Sequence, residues 1–301
     1  MEQILILFRC GSNLESMTLI ILIMATKPKT QSMIPVNLSA DEFAALLGEH
    51  GKTDDAYLAR HYPRFASTLN EFCSGWQGDR GVKLLDVGAH WLHQSVLWQK
   101  AGFQVSALDL PATFEMVDVQ SLAREMDIAL INCADLQAAD ALDVIEDSSM
   151  HVILFTEIIE HLTFNPVRFW KQIHRILAPG GRIVVTTPNY YAWNGRAWNF
   201  FRFVRGLGGG ISVENILRTH TYGHHWREFS AGELCRYFSL LSPDFKVVKA
   251  KRVRNFPYAN ARRGRGILSC VLETIPGLRP NLHLEIELSS KNHGIVIQPG
   301  W

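Results

Sequence analysis

The sequence predicts an α/β fold in which helices cover one mostly parallel sheet. Between residues 82 and 187, short apolar runs bounded by turn residues alternate with stretches of helical length. Strands that alternate with helices form βαβ units, whose right-handed crossovers place the strands parallel in one sheet. A chain of 301 residues that is 47% hydrophobic can bury the core of one large domain or two small ones.

Residues 1–33 are predicted to form a flexible extension ahead of the fold. Two apolar runs, residues 4–8 and 18–24, are separated by polar and charged residues, and each is far shorter than the roughly 20 residues of a spanning helix. The acidic Glu2 also disfavours a secretory signal, which begins with basic residues. A start codon assigned too early explains these runs, and a peripheral membrane contact is the alternative.

Residues 34–75 are predicted to form a helical cap. Ser39 and Glu42 have the spacing of a capping box, and apolar residues then recur at helical intervals. A second helix is expected from about Asp55 to Cys73. We expect an interruption near Pro63, because proline lacks the backbone N–H that a helix interior needs.

The main domain is expected over residues 76–301, with strands at Val82–Val87, Phe103–Leu110, Ile128–Asn132, His151–Thr156, Arg182–Thr187, Phe245–Arg254 and Leu282–Leu288. In the last of these, apolar and polar residues alternate, as in a sheet-edge or antiparallel strand. Residues 188–230 break the alternation of strands and helices. A long irregular segment in a compact domain is typical of a lid or binding loop.

Charge and cysteine content exclude several classes of protein. A net charge of +1 excludes a chain whose overall charge drives it onto nucleic acid or membrane. Five scattered cysteines without a CxxC pair favour a reducing cytoplasm over a disulfide framework or a structural zinc site. Residues 246–265 nevertheless carry eight Lys and Arg and no acid, which indicates either a solvated face or a surface for an anionic substrate.

The first strand runs into a turn with the pattern of a ligand-binding loop. In open α/β sheets, ligands bind beyond the carboxyl ends of the strands, and Gly88 allows the backbone to approach a ligand closely. The second strand ends at Asp109, 23 residues after Asp86, where a carboxylate can accept hydrogen bonds from two ribose hydroxyls. Together these features fit any nucleoside-containing cofactor.

Later segments narrow this choice. Cys133-Ala134-Asp135-Leu136 follows the third strand, FTEIIEHLTFNP (155–166) follows the fourth, and LAPGG (177–181) and TTPN (186–189) flank the fifth. In this order, the segments resemble class I S-adenosylmethionine-dependent methyltransferases over residues 80–290. The resemblance implies a Rossmann-like, seven-stranded sheet whose last strand is antiparallel, with 188–230 as an insertion on the acceptor side.

The resemblance also implies which residues bind S-adenosylmethionine. They are Asp86, Gly88, Ala89 and His90 at the first turn, Asp109 and Leu110 near the ribose, Asp135 and Leu136 near the adenine, and Thr156 at the end of the fourth strand. One departure is that His90 and Leu92 replace later glycines of the family's first loop. A side chain at 90 would crowd a cofactor or reshape the loop. An inactive, methyltransferase-like binding protein is therefore one hypothesis, and Asp109 with the fourth-strand motif favours an active enzyme.

The fourth-strand motif contains a candidate metal site. Glu157, Glu160 and His161 stand at i, i+3 and i+4, so a helix would place them on one face. Two such carboxylates repel unless a cation lies between them, and carboxylate and imidazole ligands can supply half of an octahedral shell. With TPNY and the later histidine segment, the motif resembles small-RNA 2′-O-methyltransferases and ubiquinone-pathway O-methyltransferases. That resemblance implies His224 as a further ligand of magnesium or manganese; a Glu–His pair that only orders the loop is the alternative.

His161 and His225 are the candidate catalytic residues. His220 and His225 are alternatives to His224 as a ligand, or act as a general base, because imidazole titrates near neutrality. The favoured function is O-methylation of a hydroxylated small molecule such as a sugar or quinol. RNA 2′-O-methylation is the alternative, supported by the basic run. Nucleic acid is the less favoured partner, because no recognised RNA-binding module accompanies the domain.

Overall fold

A computed structural model describes residues 38–48, 55–76, 81–193, 195, 204–206, 210–218, 220–254 and 271–299. The predicted extension at 1–33 lies outside these ranges, as do parts of 188–230 and of the basic run. Within the described ranges, no helix has the length and apolar character needed to cross a bilayer.

The helices and strands follow in chain order. The helices are α1 (Ala40–Leu47), α2 (Asp55–Cys73), α3 (His93–Lys100), α4 (Pro111–Phe114), α5 (Val117–Glu125), α6 (Val167–Ile176), α7 (Val213–Arg218) and α8 (Ala231–Leu241). The strands are β1 (Lys83–Val87), β2 (Gln104–Asp109), β3 (Ala129–Asn132), β4 (Met150–Thr156), β5 (Leu177–Pro188), β6 (Phe245–Val253) and β7 (Asn281–Leu288).

The strands form one seven-stranded sheet in the order β3-β2-β1-β4-β5-β7-β6. The first five strands pair in parallel, whereas β7 pairs antiparallel with both β5 and β6. The predicted mostly parallel sheet with an antiparallel last strand is confirmed. Since β7 lies between two strands, the sheet-edge alternative is wrong. The strand order reverses between β1 and β4, which is where open α/β sheets bind ligands.

Apolar side chains project from both faces of the sheet and form two packed layers. In β4, Ile153 and Phe155 join a layer with α6 and α8, whereas Val152 and Leu154 join a layer with α1, α2, α3 and α5. This alternation follows from the two-residue period of a strand. The sheet is therefore covered on both faces. The carboxyl ends of its strands are left for a ligand to reach.

Helix α2 runs through Pro63 without a break, so the predicted interruption is wrong. One face of the helix is buried, with Leu58, Tyr62, Phe65, Leu69 and Phe72 in the apolar layer. Each such side chain contributes about 1.5–3 kcal/mol, which together exceeds the roughly 3 kcal/mol cost of a proline in a helix interior. The capping box predicted at Ser39 and Glu42 is present at the start of α1.

The face of β7 toward α2 is charged rather than apolar. Glu285 is fully buried, and its carboxylate lies 2.6 Å from Nζ of Lys249 and 2.9 Å from Nη1 of Arg182. Lys251 pairs with Glu71 of α2. Both lysines are thus ion-paired. The solvated-face interpretation does not describe Lys249, which is largely buried, but it does describe Lys251, which is exposed.

Candidate active site

The turn after β1 requires glycine at its first position. Gly88 has φ +76°, and a Cβ there would lie 2.2 Å from Cδ1 of Ile158. The backbone N–H groups of Gly88 and Ala89 both donate to the carbonyl of Leu108 at the end of β2. The turn is therefore fixed against the second strand, with Ile158 closing it from the β4 side.

His90 and Leu92 both keep the left-handed backbone that glycine favours, with φ +48° and +65°. The side chain of Leu92 is fully buried in the apolar layer against α2. The His90 ring packs on Trp91 and Tyr57, with centroids 4.3 and 5.8 Å apart. Neighbouring side chains thus accommodate both residues while the backbone holds glycine-like conformations.

Asp109 anchors the first loop to the end of β2. Its Oδ2 accepts from the His90 N–H at 2.7 Å, and its Oδ1 accepts from the Leu110 N–H at 2.7 Å and from the Thr113 hydroxyl at 3.0 Å. A carboxylate oxygen has two lone-pair positions, so Oδ2 retains one for a ligand hydroxyl.

The other residues predicted to bind the cofactor differ in how deeply their side chains are buried. Asp86 is buried beneath the loop, where burial raises its pKa to about 7 and the Ser95 hydroxyl donates to it at 2.6 Å. Asp135 is exposed after β3, and its Oδ1 accepts from the Gln137 N–H. Leu136 and Thr156 are half-buried.

Glu157 does not share a helical face with Glu160 and His161, so that expectation is wrong. Glu157 has φ +56° and precedes a 3₁₀ turn that covers only Ile159–His161. Its Oε2 lies 2.7 Å from Nη1 of Arg64 in α2, and its Oε1 accepts from the Thr186 hydroxyl at 2.9 Å. Glu157 therefore ties α2 to the ends of β4 and β5.

Glu160 is fully buried at the end of β4. Its Oε2 accepts from the Thr187 hydroxyl at 2.9 Å, whereas its Oε1 receives no hydrogen bond from the residues that the structure describes. Burial and the charge of Glu157 raise the pKa of Glu160 well above its usual value.

The hydrogen bond of His161 fixes its tautomer. Its Nδ1 lies 3.0 Å from the carbonyl oxygen of His224. Since a carbonyl only accepts, Nδ1 carries a proton, and in the neutral ring Nε2 then carries the lone pair. The ring can therefore act through Nε2 as a metal ligand or a base.

The structure brings His225, rather than His224, to Glu160 and His161. Ligand atoms of Glu160, His161 and His225 all lie within 4.8 Å of one another. The His224 ring is buried instead, with Nε2 donating to the carbonyl of Asn215 at 3.0 Å. Residue 224 has extended backbone, so consecutive side chains point to opposite sides. The predicted grouping of Glu157, Glu160, His161 and His224 is therefore corrected at two positions, and His220 lies exposed outside the group.

The loop that carries His225 is fastened to this turn through its backbone. The N–H groups of Trp226 and Arg227 donate to the Glu160 carbonyl at 2.8 and 3.4 Å. Glu228 lies next to the histidine, with its Oε1 3.7 Å from Nδ1 of His225. Sequence reasoning missed Arg64 and Glu228, because neither belongs to a motif.

Asn189, the last residue of the TTPN segment, orders the neighbouring chain. It is fully buried, and its amide nitrogen donates to the carbonyls of Gly277 and Arg279 at 3.0 and 2.7 Å. Its backbone also forms a bridge to Phe229. The sequence displays the TTPN segment, but it does not predict that Asn189 orders the neighbouring chain.

A cavity of about 500 Å³ opens beside Glu157, on the β5 and β7 side of β4. Its lining includes Arg60 and His61 of α2, Thr186 of β5, His283 of β7, and His225 with Glu228. Gly88 and Asp109 lie instead at the ends of β1 and β2. The two regions thus flank the end of β4, an arrangement that suits a cofactor on one side and a second substrate on the other.

Comparisons with known proteins show the family and the fold of the chain. A family described as a methyltransferase domain matches residues 58–242, from α2 to the end of α8. This match covers more than half of the chain, so the chain belongs to that methyltransferase domain family. No curated protein sequence matches the chain significantly.

Two solved structures share the fold. One is described as the complex between the Haloferax volcanii Trm112 methyltransferase activator and "the putative methyltransferase", with a TM-score of 0.52 at 15% identity, covering 83% of this chain and 98% of that one. The other is an S-adenosylmethionine-dependent methyltransferase from Mesorhizobium loti, with a TM-score of 0.50 at 14% identity, covering 76% of this chain and 97% of that one. Family membership and the shared fold together identify the chain as a methyltransferase.

Proposed function

We propose that this methyltransferase transfers the methyl group of S-adenosylmethionine to a hydroxyl oxygen of a small molecule, such as a sugar or a quinol. A divalent cation would be held by Glu160, His161 and His225. The observation that carries the proposal is the convergence of three ligand atoms within 4.8 Å at the end of β4. A cavity of about 500 Å³ beside them is in the usual range for a small-molecule pocket and favours such an acceptor over RNA.

The side chains fit a cation. The Oε1 atom of Glu160 is buried without a hydrogen-bond donor among the described residues, and an unsatisfied buried oxygen is costly. The His161 tautomer directs a lone pair from Nε2, as in metal sites where the other ring nitrogen donates to a carbonyl. One carboxylate and two imidazoles suit manganese or zinc, and they suit magnesium less because magnesium prefers oxygen ligands.

The residues of the chain then divide the work of methyl transfer, which is a direct displacement at the methyl carbon. The enzyme must align the acceptor with the cofactor and make the oxygen nucleophilic. We assign cofactor binding to the first loop and Asp109, and acceptor binding to the cavity. A divalent cation would supply Lewis acidity, which makes an alcohol easier to deprotonate.

A second version of the mechanism needs no metal. His225 lies beside the Glu228 carboxylate, which would stabilise the imidazolium that forms when His225 accepts the acceptor proton. This version uses the same loop and the same cavity.

Metal analysis with activity measurements tests the proposal. We expect the full-length protein to bind about one equivalent of Mn²⁺ by calorimetry. Methyl transfer to an acceptor found by screening sugars and quinols should fall in excess chelator and return with Mn²⁺ or Mg²⁺. Full activity in chelator would contradict the metal and leave His225 as the base. Transfer to nitrogen or carbon acceptors alone would contradict O-methylation.

Asp109→Ala is expected to weaken S-adenosylhomocysteine binding about tenfold to a hundredfold. The variant loses a charge-assisted hydrogen bond worth on the order of 1.5–3 kcal/mol, and it releases the His90 N–H that shapes the first loop. Calorimetry measures the affinity, and Asp118→Ala, an exposed acid in α5, is the matched control. If Asp109→Ala binds as tightly as the wild type, the ribose assignment is wrong.

A further inference from the structure

The cavity beside Glu157 is lined by three arginines. Arg60 and Arg64 come from α2, and Arg254 follows β6, far away in the sequence. Arg64 is engaged by Glu157 at 2.7 Å. Arg60 and Arg254 are exposed, and within the described part of the chain neither forms an ion pair. Two guanidinium groups are thus available to a ligand.

Three glutamates also line the cavity, but they lie in its wall. Glu157 faces Arg64, while Glu228 and Glu273 are only 8% and 5% exposed. Burial, together with the charges of Arg64 and Arg60, lowers the pKa of His61 to about 4, so His61 is neutral at physiological pH. The exposed charged side chains of the lining that are not held in ion pairs with described residues are therefore those of Arg60 and Arg254.

We propose that the acceptor of this methyltransferase carries an anionic group, a carboxylate or a phosphate, and that Arg60 and Arg254 bind it. The inference rests on the proposed function, because it names the class of acceptor for the same site. A guanidinium group presents paired N–H donors that match the oxygens of either anion. Arginines on a convex surface are commonly solvated. Arg60 and Arg254 come from separate segments and line one concave site, where the electric field of like charges is focused.

The position of the arginines also fits the reaction. His225 and Glu157 line the same cavity, so a molecule whose anionic end is held by Arg60 and Arg254 lies in the compartment that holds the candidate catalytic histidine. A volume of about 500 Å³ accommodates a molecule the size of a hexose phosphate. Arg254 belongs to the basic run at residues 246–265, for which a surface for an anionic substrate is one interpretation. Lys249 and Lys251 of that run form ion pairs, whereas Arg254 forms none among the described residues.

Calorimetry on the full-length protein saturated with S-adenosylhomocysteine tests the inference. The probes are glucose, glucose 6-phosphate and glucuronate, with inorganic phosphate as the minimal anion. We expect saturable binding of a phosphate or carboxylate probe at least about tenfold tighter than that of glucose, and weakened by added salt. The two sugar anions identify which group the site prefers.

Arginine variants and a chelator locate the binding. Arg60→Gln and Arg254→Gln should each weaken the anionic probe about tenfold, while Arg168→Gln, an exposed arginine of α6, should leave it unchanged. Affinity for S-adenosylhomocysteine should stay constant in all three. The inference is overturned if no anionic probe binds better than glucose, if the two cavity variants bind like the wild type, or if a chelator alone abolishes binding. None of these readouts requires turnover, so they separate this inference from the proposed O-methylation.

Discussion

His225→Ala is expected to lower kcat/KM for methyl transfer by a factor of about 10²–10⁴, the usual contribution of a positioned acid–base group. The His225 ring stands nearly perpendicular to that of His161, with centroids 4.6 Å apart, and it belongs to the group of three candidate ligands. The loss is expected in either version of the mechanism, because His225 is a cation ligand in one and the proton acceptor in the other.

His224→Gln is the matched control for this prediction. His224 is the adjacent residue, its Nε2 donates to Asn215, and glutamine can also donate to that carbonyl. We expect His224→Gln to keep most of the activity and to bind metal as the wild type does. A large loss in His224→Gln with full activity in His225→Ala would restore the grouping predicted from the sequence.

Metal binding separates the two roles of His225. If it is a ligand, His225→Ala should bind Mn²⁺ at least about tenfold more weakly while keeping its affinity for S-adenosylhomocysteine. If it is only a base, metal binding should not change. A matching loss of cofactor affinity would instead indicate that the substitution disturbs the fold around β4.

Periodicity was sufficient to predict the strands, because β1, β4 and β5 contain short apolar runs bounded by turn residues and β7 alternates apolar with polar residues. It could not predict which of two adjacent histidines enters the site. That choice depends on the backbone angles at residue 224 and on a carbonyl supplied by Asn215 in α7. A shift of one residue in an extended segment reverses the direction of a side chain.

Tertiary packing also overrode local rules at Pro63 and at Leu92. The helix continues past Pro63 because its flanking apolar side chains are buried in the layer beneath it. Leu92 adopts a left-handed backbone because its side chain is fully enclosed by that same layer. The arginines of the cavity carry no sequence motif, since α2 and the end of β6 meet there only in the folded chain.

The second large effect is expected at Asp244, a buried carboxylate that joins the end of the chain to the sheet. Its oxygens accept hydrogen bonds from the Ser290 hydroxyl at 2.6 Å, from the His293 and Gly294 N–H groups at 3.0 and 2.9 Å, and from His174 Nε2 at 3.0 Å. Burial alone would raise the pKa of Asp244. The hydrogen bonds outweigh burial and hold the pKa well below its usual range.

Asp244→Asn is expected to lower the free energy of unfolding at pH 7 by about 3–5 kcal/mol, the usual cost of removing one partner from a buried charged network. An amide has one acceptor oxygen and cannot satisfy all of these donors, so some would remain buried without partners. Urea unfolding followed by circular dichroism measures the change. Asp140→Asn, an exposed aspartate, should alter stability by less than about 0.5 kcal/mol.

The pH dependence of this difference follows from the lowered pKa. A carboxyl group whose pKa is depressed by folding contributes stability above its unfolded pKa of about 3.9 and loses it as the pH falls toward the folded pKa. The gap between wild type and Asp244→Asn should therefore narrow as the pH falls below about pH 4, because the unfolded wild type takes up a proton at residue 244 there and the asparagine variant cannot. A gap that stays unchanged across that range would mean that the amide's shape or packing, rather than the loss of the charge, causes the instability.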